Sequence, residues 1–309
     1  MANQPTQRVE VAPPPRAGML QPAAAGLREV NRFARRKPLG AIGGLLVLAL
    51  VIVAVLAPVL APYGARDLPD SRQGGSTVYI PPNSQFLLGT DHVGRDVLSR
   101  LIYGARISLY VGLGSVLIGI TASFIIGVTL TYAGGIIDMS SQRVVDALMA
   151  LPGLIIALAI VAVLGSSLNN VILAIVIGMI APVIRTVRSQ VLSVKELDYV
   201  TAAVAIGAPP WRIVFRHIVP NCLAIYLVLA TYYLGFAIII EASLSFLGVG
   251  APPDQPSWGG MLTRAAQEHV LTAPWVGIFP GVAIFVVVMG FNLLGDALRD
   301  VLDPRLRGR

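Results

Sequence analysis

Charged residues are scarce in this chain of 309 residues. Asp, Glu, Lys and Arg together make up 13% of it, whereas about a quarter of the residues in an ordinary soluble domain are charged. Hydrophobic residues account for 55%, and a soluble fold of this size could not bury so much apolar surface. The composition therefore excludes an ordinary soluble domain and predicts a protein that lies in a membrane.

Residues that bind metals or form disulfides are equally few. The sole cysteine, Cys222, excludes an internal disulfide and a cysteine-rich metal site. The three histidines fall in three separate segments: His92, His217 and His269. Asp91 and Asp96 lie close to a histidine, but we expect Thr90 or Asp91 to cap the helix that follows. The sequence therefore predicts no metal site.

The chain also lacks the short motifs that carry hydrolytic or nucleotide chemistry. It has no Walker A loop, no G-x-S-x-G turn and no H-E-x-x-H pair. We therefore expect no catalytic or cofactor-binding residue, and no ATP hydrolysis by the chain itself. A membrane-embedded enzyme would need a nucleophile or a metal at one depth, and these residues provide neither.

Long apolar runs are what the sequence does contain. A spanning helix needs about 20 apolar residues, and six runs approach or exceed this length. They are residues 39–62, 107–132, 144–164, 171–187, 223–247 and 273–294. Pro152 lies near the start of the third run, so its boundary is the least defined. The predicted fold class is an all-α membrane protein with six transmembrane helices.

Basic residues predict the orientation of these helices, because cytoplasmic loops are enriched in Lys and Arg. The basic residues before the first apolar run are Arg8, Arg16, Arg28, Arg32, Arg35, Arg36 and Lys37. Those after the sixth run are Arg299, Arg305, Arg307 and Arg309. Both ends are therefore expected in the cytoplasm, and an even number of spans places residues 185–221 there as well. Topology and anionic lipid explain the net charge of +7 without a nucleic-acid partner.

A polar island at residues 198–221 separates two of the apolar runs. Its pattern predicts a helix over residues 199–206, a turn at Gly207 and a second short helix over residues 211–217. Four residues of the second helix recur at helical spacing and would share one apolar face: Trp211, Val214, Phe215 and Ile218. Such a helix fits a groove in another protein, and the alternative is an amphipathic helix lying on lipid headgroups.

The same island resembles the EAA signature of the integral-membrane subunits of ABC importers. It keeps both alanines of that motif, the glycine at the family's spacing and the final proline. It differs at Thr201, His217 and Val219, where the family usually has glutamate, isoleucine and leucine. The resemblance implies that the residues coupling the chain to an ATPase are Thr201, Ala202, Ala203, Gly207, Trp211, Arg212, Phe215, Arg216 and Pro220.

Further blocks resemble one branch of these importers, the C-type partner in dipeptide, oligopeptide and nickel permeases. They are LGTD from residue 88, Asp146 with LPGL at 151–154, EASLSFLG at 241–248, PSWG at 256–259, NLLGD at 292–296 and LDPRL at 302–306. The resemblance covers about residues 39 to 306. It implies a prokaryotic inner-membrane permease, most simply for di- or oligopeptides, with nickel chelates and oligosaccharides left open as cargo.

The resemblance also implies the partners. They are a homologous B-type permease, two ABC ATPase subunits that bind ATP and Mg²⁺, and a solute-binding protein outside the membrane. The loops at residues 88–106 and 250–273 would receive the binding protein. When the ATPases close on ATP, they would carry the helix-turn-helix at 201–217 with them and tilt the attached spans.

The predicted organisation has four parts. Residues 1–37 form a flexible basic tail, and residues 38–106 form the first span with an outer loop that ends in an amphipathic helix. Residues 107–296 form a five-helix permease core that includes the island at 198–221, and residues 297–309 form a second cytoplasmic tail. These boundaries follow from composition and from the apolar runs.

Glu241 is the ionisable residue that lies well inside an apolar run. An intramembrane carboxylate often lines a water-filled path, but near a span's end it can instead bind neighbouring backbone. Both roles stay open for Glu241, Ser243 and Ser245. The leading alternative to an ABC permease is an ion-driven secondary transporter, which would predict inverted repeats, discontinuous helices and several ionisable groups near the midplane.

Overall fold

The computed structural model describes residues 34–35, 37–68, 78–252, 254–268 and 271–302. Contacts divide the chain into two units, Met1–Pro38 and Leu39–Arg309. Most of the predicted N-terminal tail lies outside the described residues, as do His269, residues 303–309 and most of the LDPRL block. Within the described part the chain is helical, and its one isolated β-bridge joins Thr90 to Asp96.

The described helices are numbered here in chain order. They are α1 Pro38–Val55, α2 Ala57–Leu60, α3 Val97–Ala133, α4 Gly135–Met149, α5 Gly153–Leu164, α6 Leu168–Lys195, α7 Asp198–Ala205, α8 Pro210–Ile213, α9 Val219–Phe246, α10 Trp258–Glu268 and α11 Trp275–Leu302. A π-helical turn, Val214–Ile218, joins α8 to α9 without a break. The all-helical fold class is confirmed.

Five of the helices in the described residues are long and apolar enough to cross a membrane. They are α1, α3, α6, α11 and the continuous helix Pro210–Phe246. The sixth candidate is the pair α4 and α5, which bends by 80°. The run predicted over residues 144–164 therefore lies in a bent pair of helices rather than in one continuous helix. Pro152 explains the bend, because proline has no N–H to donate and disfavours helical geometry in the residue before it.

The helices run alternately between two ends of the bundle. One end carries the described residues 78–106, 249–252, 254–268 and 271–276, which we call the cap region. The other carries residues 198–221, which we call the motif segment. Helix α9 connects them, and its 28 residues extend about 42 Å at 1.5 Å per residue. The end of α3 lies at the motif end too, because Lys195 Nζ donates to the carbonyl of Thr131 at 3.3 Å.

The core lies where α3, α6 and α9 meet. Val111, Ile120 and Val187 are among its fully buried residues, and Gly119 of α3 lets Met179 of α6 pack against the helix backbone. A second apolar cluster joins α1, α11 and the cap region. Close packing at small residues is the usual basis of helix association in membranes, where lipid removes most of the hydrophobic driving force.

Helix α3 begins in the cap region and continues into the membrane span. Its 37 residues contain both the amphipathic helix that was predicted to lead into the second span and the span itself, as one continuous helix. The expected cap at Thr90 or Asp91 was wrong. Asp96 is the N-cap, and its side chain accepts a 2.7 Å hydrogen bond from the Ser99 N–H. Asp91 instead turns inward to two arginines.

Candidate functional site

The turn of the motif segment has the conformation that its glycine predicts. Gly207 has φ of 79°, in the left-handed region that a residue with a Cβ occupies at a cost. The Gly207 N–H donates to the carbonyl of Val204 at 2.9 Å, and the Ala208 N–H donates to the carbonyl of Ala203 at 3.0 Å. This pair of bonds closes the end of α7 as a Schellman motif.

The EAA-like positions lie on α7 just before this turn. Ala203 is buried, whereas Thr201 and Ala202 are exposed. The Thr201 hydroxyl donates to the carbonyl of Asp198 at 2.9 Å. Where the family usually has a glutamate, this chain thus has a short side chain bonded within its own helix, and no carboxylate at that position extends towards a partner.

The second half of the motif segment differs from the prediction. Helix α8 begins at Pro210 as expected, but it passes through the π-helical turn into α9 instead of ending at residue 217. Pro220, in the first turn of α9, explains this. A proline ring clashes with the carbonyl four residues earlier in a regular α-helix. The wider turn, in which the Val219 N–H donates to Val214, relieves that clash.

The predicted apolar face of this helix was also wrong. Ile218 is buried and Val214 partly buried, but Trp211 is 66% exposed and Phe215 is 70% exposed. Side chains in a π-helical turn recur at a longer interval than in an α-helix, so the four residues do not share one face. The exposed surface is formed by Trp211, Arg212, Phe215 and Arg216, which line a shallow pocket of about 430 Å³.

The underside of the motif segment is anchored in the core. Val200 and Ala203 of α7, with Ile213 and Ile218 of the second helix, belong to the same buried cluster as Val194 of α6. The exposed aromatic pair therefore projects from a packed base. A force applied to Trp211 and Phe215 would be passed to α6 and α9, because interdigitated cores transmit strain.

Glu241 lies at the other end of α9, where it is fully buried. The Ser245 hydroxyl donates to Glu241 Oε1 at 2.8 Å, whereas Glu241 Oε2 is buried and has no hydrogen-bond partner among the described residues. Ser245 Oγ also accepts from the Ala251 N–H at 3.0 Å. Ser245 therefore links the Glu241 carboxyl group to the cap region, while Ser243 bonds to Ile239 of its own helix.

A buried charge cluster in the cap region was not predicted. The Arg95 Nε donates to Asp91 Oδ2 at 2.8 Å, Arg100 Nε lies 3.6 Å from that oxygen, and His92 Nδ1 lies 3.8 Å from it. Burial alone would raise the pKa of Asp91, but Arg95, backbone N–H groups and Arg100 together lower it. Among the described residues no group of three His, Cys, Asp or Glu side chains could hold a metal.

Sequence comparison identifies the family of this bundle. Residues 116–308 match the model of the binding-protein-dependent transport system inner membrane component. The chain belongs to this family. Residues 27–82 match a second model, the N-terminal transmembrane domain of oligopeptide transport permease C. The two matches together cover the first span, the broken span and the motif segment.

Characterised permeases resemble this family member over nearly the whole chain. A glutathione transport system permease protein of Pectobacterium atrosepticum is 42% identical over 280 residues, which are 91% of this chain and 91% of that protein. A dipeptide transport system permease protein of Alkalihalophilus pseudofirmus is 40% identical over 290 residues, which are 92% of each chain.

Family membership settles the class of function. This permease is a multi-pass membrane subunit of an ATP-driven ABC transporter, it works with other permease and ATPase subunits, and it is not an enzyme. The alternative of an ion-driven secondary transporter was wrong. The bend between α4 and α5 would fit a discontinuous helix of such a transporter, but it occurs here in an ABC permease.

Proposed function

We propose that this chain is the C-type permease of a heterodimeric importer of di- or oligopeptides. The relatives at 40–42% identity are a dipeptide and a glutathione permease by name, and glutathione is itself a small peptide. The observation that carries the coupling role is the motif segment, whose exposed surface of two aromatic and two arginine side chains rests on a buried base. Aromatic and arginine side chains dominate binding hot spots.

The motif segment acts as the lever between ATP hydrolysis and transport. ATP and Mg²⁺ are held by the ATPase partners, and Trp211 and Phe215 insert into a cleft of one of them. Arg212 and Arg216 flank the insertion. Gly207 sets the angle between the two helices, the exposed Ala202 leaves room for the partner's surface, and the buried Ala203 packs α7 onto its base. Closure of the ATPases then tilts α6 and α9 together.

The bundle is oriented with the motif segment and both termini in the cytoplasm and the cap region outside. The alternating course of the helices supports this, because α3, α6 and α11 all run from the cap end to the motif end. Residues 88–106 and 250–273 of the cap region receive the solute-binding protein. The B-type permease partner completes the translocation path, and the tails before residue 38 and after residue 296 lie outside the path.

Cargo is tested by uptake into proteoliposomes that contain the complete transporter. Radiolabelled dialanine, glutathione, a hexapeptide, a nickel–histidine chelate and a maltooligosaccharide are supplied with the binding protein encoded beside this chain. We expect ATP-dependent uptake of at least one of the peptides. Uptake of the chelate or the oligosaccharide alone would contradict the peptide assignment, while leaving the ABC permease itself intact.

Docking of the motif segment is tested with Phe215→Ala. Loss of a buried interface anchor costs about 2 kcal/mol or more at a hot spot, so fewer ATPase subunits should remain on the detergent-solubilised permease. Val163→Ala on α5 is the matched control, because Val163 is also strongly exposed but lies far from the motif segment. Equal ATPase recovery with both variants would favour a segment that lies on lipid headgroups.

Orientation is tested with reporter fusions. A reporter at residue 195 should report the cytoplasm, and one inserted near Ser84 should report the outside. Residue 84 belongs to the cap region, so a cytoplasmic signal there would invert the proposed topology.

A further inference from the structure

Two ion pairs connect the first half of the broken span to α6. In the first, Arg188 donates from Nε to Asp138 Oδ1 at 2.8 Å and from Nη2 to Oδ2 at 2.7 Å. In the second, Arg185 pairs with Asp146. Both carboxylates lie on α4, and both arginines lie one turn apart on α6. The coupling surface that the family motif indicates includes none of the four.

The two pairs differ in burial. The Asp138 side chain is only 12% exposed, whereas the Asp146 side chain is 50% exposed. A bidentate Arg–carboxylate pair at a partly buried position has a well-defined geometry. Removing one partner there leaves a charge without its counter-ion, whereas exposed pairs contribute little. Asp138–Arg188 is therefore the pair that fixes α4 on α6.

Little else holds α4 in place. Its buried apolar contact is one small cluster, in which Val145 packs against Ala181 and Ile184 of α6. Four of its other apolar side chains are exposed: Ile136, Ile137, Met139 and Val144. Helix α6 is thus the main support of α4, and movement of α6 reaches α4 through this cluster and the ion pairs.

The position of Arg188 connects the motif segment to the break. Helix α6 ends at Lys195, two turns beyond Arg188, and α7 begins three residues later. On the other side, α4 leads to the 80° bend. An apolar cavity of about 270 Å³ lies at the bend. Its lining includes Leu151, Pro152, Gly153, Gly178, Pro182 and Phe236.

We propose that Asp138 and Arg188 are a positioning pair that makes α4 move with α6, so that displacement of the motif segment opens or closes the bend at Pro152. This rests on the proposed role of the motif segment. The broken span changes its angle at the bend, and the ion pair determines that α4 moves with α6 when it does. Without the pair, ATPase movement would still reach α6 but would no longer be transmitted fully to α4 and α5.

The test measures whether α4 and α6 move together in the complete transporter. Spin labels are placed at Val144→Cys on α4 and Ser193→Cys on α6, both exposed, in a Cys222→Ala background. The distance between the labels is measured without nucleotide and after trapping with ATP and vanadate. With Asp138 and Arg188 intact, we expect one narrow distance that is equal in both states. With Asp138→Asn, we expect it to broaden and to depend on nucleotide.

Asp146→Asn is the matched control, because it makes the same chemical change on the same helix at the exposed pair. It should leave the label distance narrow. The double variant Asp138→Arg with Arg188→Asp restores a pair of opposite charges and should recover part of the narrow distribution. A distance that changes with nucleotide in the unaltered pair, or one that stays narrow in Asp138→Asn, would overturn the proposal.

A second readout separates coupling from folding. The number of radiolabelled glutathione or dialanine molecules imported per ATP hydrolysed is measured on assembled complexes, so poor assembly does not affect the ratio. We expect this ratio to fall about fivefold or more in Asp138→Asn, the lower end of typical allosteric coupling, and to be unchanged in Asp146→Asn. If the permease recovers no ATPase at all, the proposed function fails, whereas assembled complexes with an unchanged ratio and distance refute only the positioning pair.

Discussion

The cap region and the motif segment, at opposite ends of α9, are built differently. In the cap region, the Trp258 Nε1–H donates to the carbonyl of Leu101 at 2.9 Å, and the Trp275 Nε1–H donates to that of Thr90 at 3.3 Å. These indoles are satisfied inside the chain. The motif segment instead exposes Trp211 and Phe215. The cap region completes its own packing, whereas the motif segment leaves an exposed aromatic surface that our proposal assigns to an ATPase partner.

This contrast has a mechanical consequence. The cap region joins the first turns of α3 to the last turn of α9 through Trp258 and through the bonds around Glu241, so those helix ends resist separation. At the motif end, Lys195 donates to the carbonyls of Thr131 and Tyr132 and Arg188 pairs with Asp138, but these bonds connect α6 with α3 and α4 and do not include α9. Tilting of the spans should therefore pivot near the cap region and be largest at the motif segment, where the ATPases would act.

The largest predicted effect comes from blocking a close contact between the cap region and the backbone of α9. A Cβ on Gly259 would lie within 2.5 Å of the Ala242 Cα and collide with the Ala242 carbonyl, and neither backbone atom can move without displacing α9. Overpacking costs about 1–3 kcal/mol, and more where backbone must shift. Gly259→Val should therefore abolish folded protein, measured as monodisperse permease recovered after detergent extraction.

Gly281→Ala is the control for that variant, since no described atom lies within 4 Å of a Cβ there. It should leave recovery unchanged. Normal recovery of Gly259→Val would mean that the cap region is loosely packed and that the contrast between the two ends is false.

The second prediction concerns Glu241, for which a role in the path and a structural role were both open. Its carboxyl group is buried and bonded to Ser245, so the structure favours the structural role. Glu241→Ala leaves the buried Ser245 hydroxyl without its acceptor, which costs about 1–3 kcal/mol. We expect a lower midpoint of thermal unfolding in detergent. Uptake per folded complex should stay near the wild-type value, and a specific loss of uptake with normal stability would favour the path.

The third prediction moves to the motif segment. No described atom lies within 4 Å of a Cβ at Gly207, so Gly207→Val causes strain without collision. The left-handed backbone costs a branched residue about 1–2 kcal/mol. The protein should still fold, but α7 and α8 should meet at another angle. ATP hydrolysis should respond less to substrate and binding protein, and normal uptake at normal expression would contradict the role of the turn.

The features that were predicted well are those that depend on the local sequence alone. Apolar runs located the spans, because a membrane demands about 20 apolar residues whatever their neighbours. Gly207 located the turn, because a positive φ is a local property of one residue. The motif segment was recognisable from the spacing of Thr201, Ala202, Ala203 and Gly207.

Features that depend on three-dimensional neighbours were not predicted. The run at residues 144–164 is apolar on both sides of Pro152, and hydropathy is blind to direction, so the proline indicated only a poorly defined boundary and not the 80° bend. The face of residues 211–218 was assigned with a regular helical period, which the π-helical turn before Pro220 breaks. The partner of Asp138 lies on another helix, and the partners of Asp91 depend on how the segment before α3 folds back.

The smallest effect predicted at neutral pH concerns Asp91 in the cap region. Burial raises its pKa, but Arg95, backbone N–H groups and Arg100 outweigh burial and bring the pKa below the ordinary value of 3.8. The ionised group therefore stabilises the fold fully above that pH and loses its contribution as pH falls through the lowered pKa. Arg95, Arg100 and His92 are the charged or titratable groups described around it, and the two arginines keep their charge throughout.

Asp91→Asn removes this titration while keeping the size of the side chain. Its unfolding midpoint should lie below that of the wild-type protein from pH 7 to pH 5, because Asp91 is ionised in both folded and unfolded chains there. Below the ordinary pKa the wild-type midpoint should fall faster, and the two curves should converge. Melting curves of the detergent-solubilised proteins in a pH series decide this. Parallel curves down to the lowest pH would show that the arginines do not hold Asp91 ionised, and the cap region would then owe its rigidity to the indoles and Glu241 alone.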